Sequence, residues 1–249
     1  MEYKGFEDLY LSLEGTANLK MASYVIVANI AIVKGMDKNK FDKYEEYKTS
    51  LKNLLENPTD KNTLNDYIFG YLALKCSGVN FDESKVLLYF IDVQKDDGGF
   101  ALSGNSGDVD MTAFTVIALK LLENFFFYDY FDISTLENAV KFLENNINEN
   151  GTFTSYGSQN ANSTACALSA LVQYYSVYGE YQEILLKASD ALALFVAKKD
   201  VGYFYSEKNN TDKADSLATA QVAIALGDLT NGTSVWEKLY YEYKGKFGD

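Results

Sequence analysis

The side chains of this chain most able to do chemistry are two carboxylic acids, Asp108 and Asp110, which stand just before Thr112. The 249 residues include no histidine, so Ser-His-Asp, Cys-His and histidine–zinc sites are excluded, and acid–base chemistry must use carboxylates, Lys or Tyr. A carboxyl in an apolar pocket beside a second one resists ionisation and could donate a proton. Alternatively, both are exposed at a helix N-terminus, where the helix dipole favours negative charge.

These acids belong to a module of roughly fifty residues that recurs along the chain. Each copy predicts a helix, a glycine turn, an aromatic residue, a polar loop and a second helix. The clearest copies span residues 90–122, 142–175 and 194–229. Two earlier stretches, 22–35 and 66–78, are predicted to be degenerate copies of the small-residue helix, which gives about five helical hairpins.

An acid or amide stands at the same distance before a Thr-Ala pair in each clear copy. Because an apolar helix follows it, its predicted role is to cap the free N–H groups of the first turn. The pairs are Asp108 with Thr112, Asn160 with Thr164, and Asp215 with Thr219. Asp110 is different, because its equivalents are Asn162 and Leu217, so this position is not a recurring cap.

Composition and hydropathy pattern predict an all-α fold in a single domain over residues 1–249. One proline and 47% hydrophobic residues suit long helices around a sizeable core. Helices such as 111–122 are apolar nearly all round and are expected to be inner, whereas 134–145 is amphipathic and is expected to be outer. Two such layers with closed curvature predict an α/α toroid or a short solenoid, of about five to six helical hairpins.

The charge and the apolar segments limit the classes of partner. A net charge of −13 argues against nucleic acid and anionic membrane surfaces. The apolar run 21–33 is too short to span a bilayer and follows an acidic start, which predicts a core helix and neither a signal peptide nor an anchor. Cys76 and Cys166 lie in apolar helical stretches and are predicted to be small buried hydrophobes. No cofactor and no metal site is predicted.

The segment 94–113, QKDDGGFALSGNSGDVDMTA, resembles the prenyltransferase and squalene-cyclase repeat. That repeat is marked by a Q-x-x-x-G-G-aromatic turn and, in class II terpene cyclases, by a following D-x-D-D-T-A. The nearest likeness is to terpene cyclase-like domains of Gram-positive surface proteins, with a more distant one to cobalamin carriers, and it covers about the last two thirds of the chain. The resemblance implies an α/α toroid that is extracellular or at the cell surface.

Three departures from the family pattern bear on activity. Met111 occupies the position of the last Asp of D-x-D-D, and the protein prenyltransferase zinc histidine cannot exist here. The sequence also offers no second barrel to complete the pocket of a squalene-type cyclase. These departures favour a non-catalytic domain that binds a small or lipid-like molecule, or a protein partner, at the rim where loops lead into the inner helices.

The candidate ligand-binding residues at this rim share a position in the polar loops or at the helix starts. They are Asp108, Asp110, Asn160, Asn162, Tyr156, Tyr205, Asp215 and Ser216. The resemblance also implies an alternative, a metal-independent class II-type isoprenoid cyclase with Asp110 as general acid, assisted by Asp108. A glycoside hydrolase using a carboxylate pair is a third hypothesis without a motif of its own. Its pair would come from Asp96, Asp97, Asp108 and Asp110.

Aromatic residues of the same loops have two possible roles. They could line an apolar wall beneath the polar rim. Alternatively they pack the glycine turn onto the outer helices, which is favoured for Phe100 and Phe153 because they lie nearest the turn. The glycines of these turns are expected to need a positive φ and not to bind phosphate; they are Gly98, Gly99, Gly151 and Gly202.

Overall fold

The computed structural model describes residues 15–123, 133–155, 157–176, 183–197, 204, 206 and 214–248. This part of the chain is mostly helical and contains ten α-helices, so the prediction of an all-α fold is confirmed. The helices are α1 (Ala17–Val33), α2 (Tyr44–Glu56), α3 (Leu64–Lys75), α4 (Glu83–Val93), α5 (Val109–Glu123), α6 (Ser134–Asn145), α7 (Ala161–Ser176), α8 (Glu183–Leu192), α9 (Ser216–Asn231) and α10 (Val235–Phe247).

Short elements complete the described chain. The 3-10 turns are Lys38–Lys40 and Ala193–Phe195. Strand β1 (Phe153–Ser155) pairs antiparallel with β2 (Ser158–Asn160) in a small hairpin directly before α7. This hairpin is the extended form of one polar loop of the repeat.

The described residues form two compact units. One comprises those up to Tyr89 together with those from Trp236 onward, and the other lies within Phe90–Val235. The prediction of one domain over the whole chain stays a prediction. Among the described residues, none of the helices combines the length and the apolar character needed to cross a bilayer.

The first unit has a core of Tyr and Leu side chains on α2 and α3 and also contains a buried ion pair. The Lys75 Nζ lies 2.8 and 2.9 Å from the two carboxylate oxygens of Glu83. Tyr71 donates its hydroxyl to the same carboxylate at 3.2 Å. Burial, together with the Glu83 charge, holds the pKa of Tyr71 well above its usual range, so the phenol stays a donor.

Helix α3 begins earlier than the predicted start at residue 66. Thr63 accepts from the Asp66 N–H, and the Asp66 side chain accepts from the Thr63 N–H, which makes a complete capping box. Asp66 is therefore the third residue of the helix. The T-x-x-D spacing is the signal that marks the start correctly.

The second unit alternates the two kinds of helix expected from the hydropathy pattern. Helix α5 is buried on nearly all sides, including the polar Thr112 and Thr115. Helix α6 buries one stripe, with Leu136, Val140 and Leu143 inside and its charged residues outside. Both predictions of burial are confirmed.

Two glycine turns in the described part of this unit pack directly on the backbone of a following amphipathic helix. Gly98 and Gly151 have φ of +84° and +83°. Gly99 has no positive φ, so that expectation is wrong for it, and Gly202 lies outside the described residues. A Cβ on Gly98 would lie 2.6 Å from the Asn138 carbonyl oxygen of α6, and one on Gly151 would lie 2.2 Å from the Lys187 carbonyl oxygen of α8. Only glycine satisfies both the positive φ and the close approach.

Candidate functional site

The start of α5 is held by a clamp of hydrogen bonds around Thr112. Asp108 Oδ1 accepts the Met111 N–H at 2.8 Å and so caps the helix. The Thr112 hydroxyl donates to the Asp108 carbonyl oxygen at 2.6 Å and accepts the Phe100 N–H at 2.9 Å. The threonine therefore joins the aromatic end of the glycine turn to the first turn of the helix.

The same clamp recurs in the other two copies. The cap bonds run from Ser163 N to Asn160 Oδ1 and from Ala218 N to Asp215 Oδ1, each at 2.7 Å. The aromatic bonds run from Phe153 N to Thr164 Oγ1 and from Phe204 N to Thr219 Oγ1, each at 3.0 Å. The capping role predicted for the three repeat positions is confirmed. Thr-Ala marks the clamp because the threonine hydroxyl is its central atom.

The aromatic residues nearest the turn belong to the core. Phe100 and Phe153 are fully buried, each with 0% of its surface exposed, and the Phe100 ring meets Phe90 edge to face at 6.2 Å. Their packing role is confirmed. Tyr156 and Tyr205, the aromatic ligand candidates, lie outside the described residues.

Asp97 closes the loop between the turn and α5. Its carboxylate accepts the Gly99 N–H at 3.0 Å and the Gly107 N–H at 3.0 Å. A Cβ on Gly99 would lie 2.7 Å from the Gly107 Cα, so the two backbones touch. Asp97 is committed to this loop, which leaves the hydrolase hypothesis without that carboxylate.

Asp110 is the second residue of α5 and is half-buried. Burial raises the pKa of its carboxyl, and the hydroxyls of Ser163 and Ser155 partly offset that rise. Burial also raises the pKa of Asp108, to which the Asp110 charge adds. Cys166 lies close enough for the Asp110 charge to raise the pKa of its thiol, which burial already raises more strongly.

Three buried polar atoms around Asp110 have no hydrogen-bond partner among the described residues. They are Asp110 Oδ1, Ser155 Oγ and Ser163 Oγ. Ser155 is 5% exposed and Ser163 is 0% exposed, so water on the surface does not serve them. The hydroxyls approach the carboxyl without making a hydrogen bond of normal geometry. A cluster of unpartnered buried polar groups of this kind is uncommon and needs a physical account.

Asn162, the equivalent of Asp110 in the next copy, is hydrogen-bonded through both its amide nitrogen and its amide oxygen. Its amide nitrogen donates to Gln221 Oε1 at 2.6 Å, and its amide oxygen accepts the Ser206 hydroxyl at 2.6 Å. Gln221 in turn donates to Cys166 Sγ at 3.5 Å. One polar path thus runs from Ser206 through Asn162 and Gln221 to Cys166, the neighbour of Asp110.

The remaining candidates hold structural positions at the helix starts. Asn160 is buried and serves as the cap of α7. Asp215 is half-buried and caps α9, and Ser216 is the exposed first residue of that helix. The structure therefore brings Asp108 and Asp110 together with serine hydroxyls, and it links Asn162 to the same cluster through Gln221.

Sequence reasoning missed the partners of the rim residues. Ser155 and Ser206 each stand two residues after the clamped aromatic of their copy, and Cys166 and Gln221 each stand two residues after the clamp threonine. These matching positions in the repeat alignment are the signal that could have identified the partners. Cys166 is buried, as predicted, but it also borders the polar cluster.

The donor set of the described residues lacks a metal site. No group of three or more Cys, Asp or Glu side chains there could hold an ion. Comparison with known proteins adds no assignment: no protein-family model matches the chain, and no curated protein matches it.

Proposed function

We propose that this chain is a terpene cyclase-like α/α toroid that binds a ligand at the rim formed by the starts of α5, α7 and α9, and that it is not a catalyst. The ligand is a small or lipid-like molecule, or a segment of a protein partner, met at the cell surface. The repeated clamp supports the toroid, because it gives three successive helices the same entry geometry.

The observation that carries the binding proposal is the set of unpartnered polar atoms at Asp110, Ser155 and Ser163. Each buried group without a partner costs about 1–3 kcal/mol. A ligand that supplies partners recovers this free energy on binding. Buried polar groups without hydrogen-bond partners are typical of sites that are completed by another molecule.

The composition of the cluster favours binding over catalysis. Asp110 faces hydroxyls and a thiol, and Asp108 is already engaged as the cap of α5. The cyclase alternative has one observation in its favour, the burial that raises the pKa of Asp110, because a general acid must hold its proton. The nearby Ser163 and Ser155 hydroxyls lower that pKa, which works against the role of general acid.

The test is an NMR screen of the ¹⁵N-labelled protein against small cationic, neutral and prenyl-like compounds. We expect bound compounds to shift the backbone amides of residues 108–111, 155 and 160–163, and Asp110→Asn to weaken binding. Asp82→Asn, which removes the same charge at an exposed position of the other unit, is the matched control. Shifts scattered over both units with no response to Asp110→Asn would contradict the proposal.

The cyclase alternative is tested separately by incubating the protein with squalene and with geranylgeranyl diphosphate. Cyclised products that disappear in Asp110→Asn, and persist in Asp82→Asn, would replace the binding proposal with catalysis. We expect no turnover.

A further inference from the structure

Two equivalent places in the repeat differ in how their hydrogen bonds are completed. One set joins Asn162 of the second copy to Gln221 and Ser206 of the third. The other set has Asp110 of the first copy with Cys166 and Ser155 of the second, at the same repeat positions. Because the clamps around both sets are the same, the difference lies in the side chains alone.

The exchange removes donors and adds charge. An amide NH₂ donates two hydrogen bonds, whereas a carboxylate only accepts and a thiol donates weakly. With Asp110 and Cys166 in place of an Asn and a Gln, the Asp110 set lacks the amide donors that join the Asn162 set. Asp110 Oδ1 and Ser155 Oγ have no partner in the described chain, and neither has Ser163 Oγ, whose equivalent in the third copy is Ala218.

A group that donates several hydrogen bonds and carries positive charge would complete this set. A carboxylate out of water is stabilised by a cation that is also hydrogen-bonded to it. A primary ammonium has three N–H donors, one for each unpartnered acceptor. The net charge of −13 attracts cations to the protein.

We propose that Asp110, Ser155 and Ser163 bind the primary ammonium group of a small amine, an inference that rests on rim binding as the function. Asp110 gives the countercharge and one acceptor, and the two serine hydroxyls accept the remaining N–H groups. Asp110 is half-buried, so an amine arriving at the rim meets its carboxylate first. The small Cys166 side chain borders the site. A Gln at this position, as at the equivalent Gln221, would fill the site.

The experiment is an NMR titration of the whole chain with n-butylammonium, with tetramethylammonium and Na⁺ as comparison cations. Tetramethylammonium keeps the charge and lacks N–H donors. We expect saturable shifts of the Ser155 and Ser163 amides with n-butylammonium at millimolar concentration, and at least about tenfold weaker binding of the other two cations.

The decisive variant is the double substitution Asp110→Asn with Cys166→Gln, because it gives the Asp110 set the amide side chains that the Asn162 set has. We expect it to fold and to bind n-butylammonium at least about tenfold more weakly. Asp110→Asn alone keeps the test valid if the double variant does not fold, and Asp82→Asn should bind as the original chain does.

Three results would overturn the ammonium assignment: no saturable shift, equal binding of tetramethylammonium, or undiminished binding by the variants. If the broader compound screen still finds ligands at the rim, rim binding survives and only the ammonium assignment fails. If neither experiment shifts the rim amides, the proposed function fails as well.

Discussion

Replacing the clamp threonines by valine tests whether the repeated clamp holds the rim. Valine keeps the shape of threonine and removes the hydroxyl. In Thr164→Val the buried Phe153 N–H loses the acceptor Thr164 Oγ1, which lies 3.0 Å away. The Asn160 carbonyl oxygen also loses the donor that lies 2.8 Å away.

The expected cost differs between the three copies because their burial differs. Phe100, Thr112, Phe153 and Thr164 are all 0% exposed, so water cannot replace the lost bond, and an unpaired buried N–H costs about 1–3 kcal/mol. We expect Thr112→Val and Thr164→Val each to lower the free energy of unfolding by about 2 kcal/mol. Thr219 is only half-buried, and Thr219→Val should cost less than about 1 kcal/mol.

Urea unfolding followed by circular dichroism measures these differences, and amide hydrogen exchange locates them. Exchange at the Phe153 N–H should speed up in Thr164→Val and stay unchanged in Thr219→Val. An equal cost in all three copies, or a cost near zero at Thr164, would refute the clamp as the element that holds the helix starts.

Three further changes address other parts of the structure. Gly151→Ala should be strongly destabilising and Gly157→Ala only mildly so, because both have positive φ but only the first lacks space for a Cβ; thermal unfolding compares them. Lys75→Met should cost about 3–5 kcal/mol by leaving Glu83 buried without its cation, and adding Glu83→Gln should recover most of it in urea unfolding. Burial raises the pKa of Asp228 to about 6 from 3.8, so this group favours the folded state below pH 4 and loses that contribution as the pH rises to 6. Asp228→Asn should therefore be more stable than the original chain at pH 7 by up to about 3 kcal/mol, and not at pH 4; a difference independent of pH would contradict the shift.

The caps and turns could be predicted because they depend on residues close in the sequence. Asp108 stands three residues before the N–H that it accepts, and Gly98 stands where the turn needs positive φ. Such local geometry leaves a fixed spacing in each copy, and repetition makes the spacing visible. The burial of α5 and of one stripe of α6 followed from hydropathy for the same reason.

The polar cluster could not be predicted in this way because its members meet only after the helices pack. Asn162 and Gln221 are 59 residues apart, and neither stands out by type. The prediction that Cys166 is a buried hydrophobe is correct for its burial. It gave no information about its polar neighbours. The departure of Asp110 from the repeat indicated an unusual position, but the unpartnered atoms of Ser155 and Ser163 emerge only from the packed helices.

The most direct test of the rim as a binding site is a high-resolution X-ray map of crystals grown with n-butylammonium. The account predicts density for a bound group within hydrogen-bonding distance of Asp110 Oδ1, Ser155 Oγ and Ser163 Oγ. Direct hydrogen bonds from both serine hydroxyls to the Asp110 carboxylate, with no space between them, would contradict it.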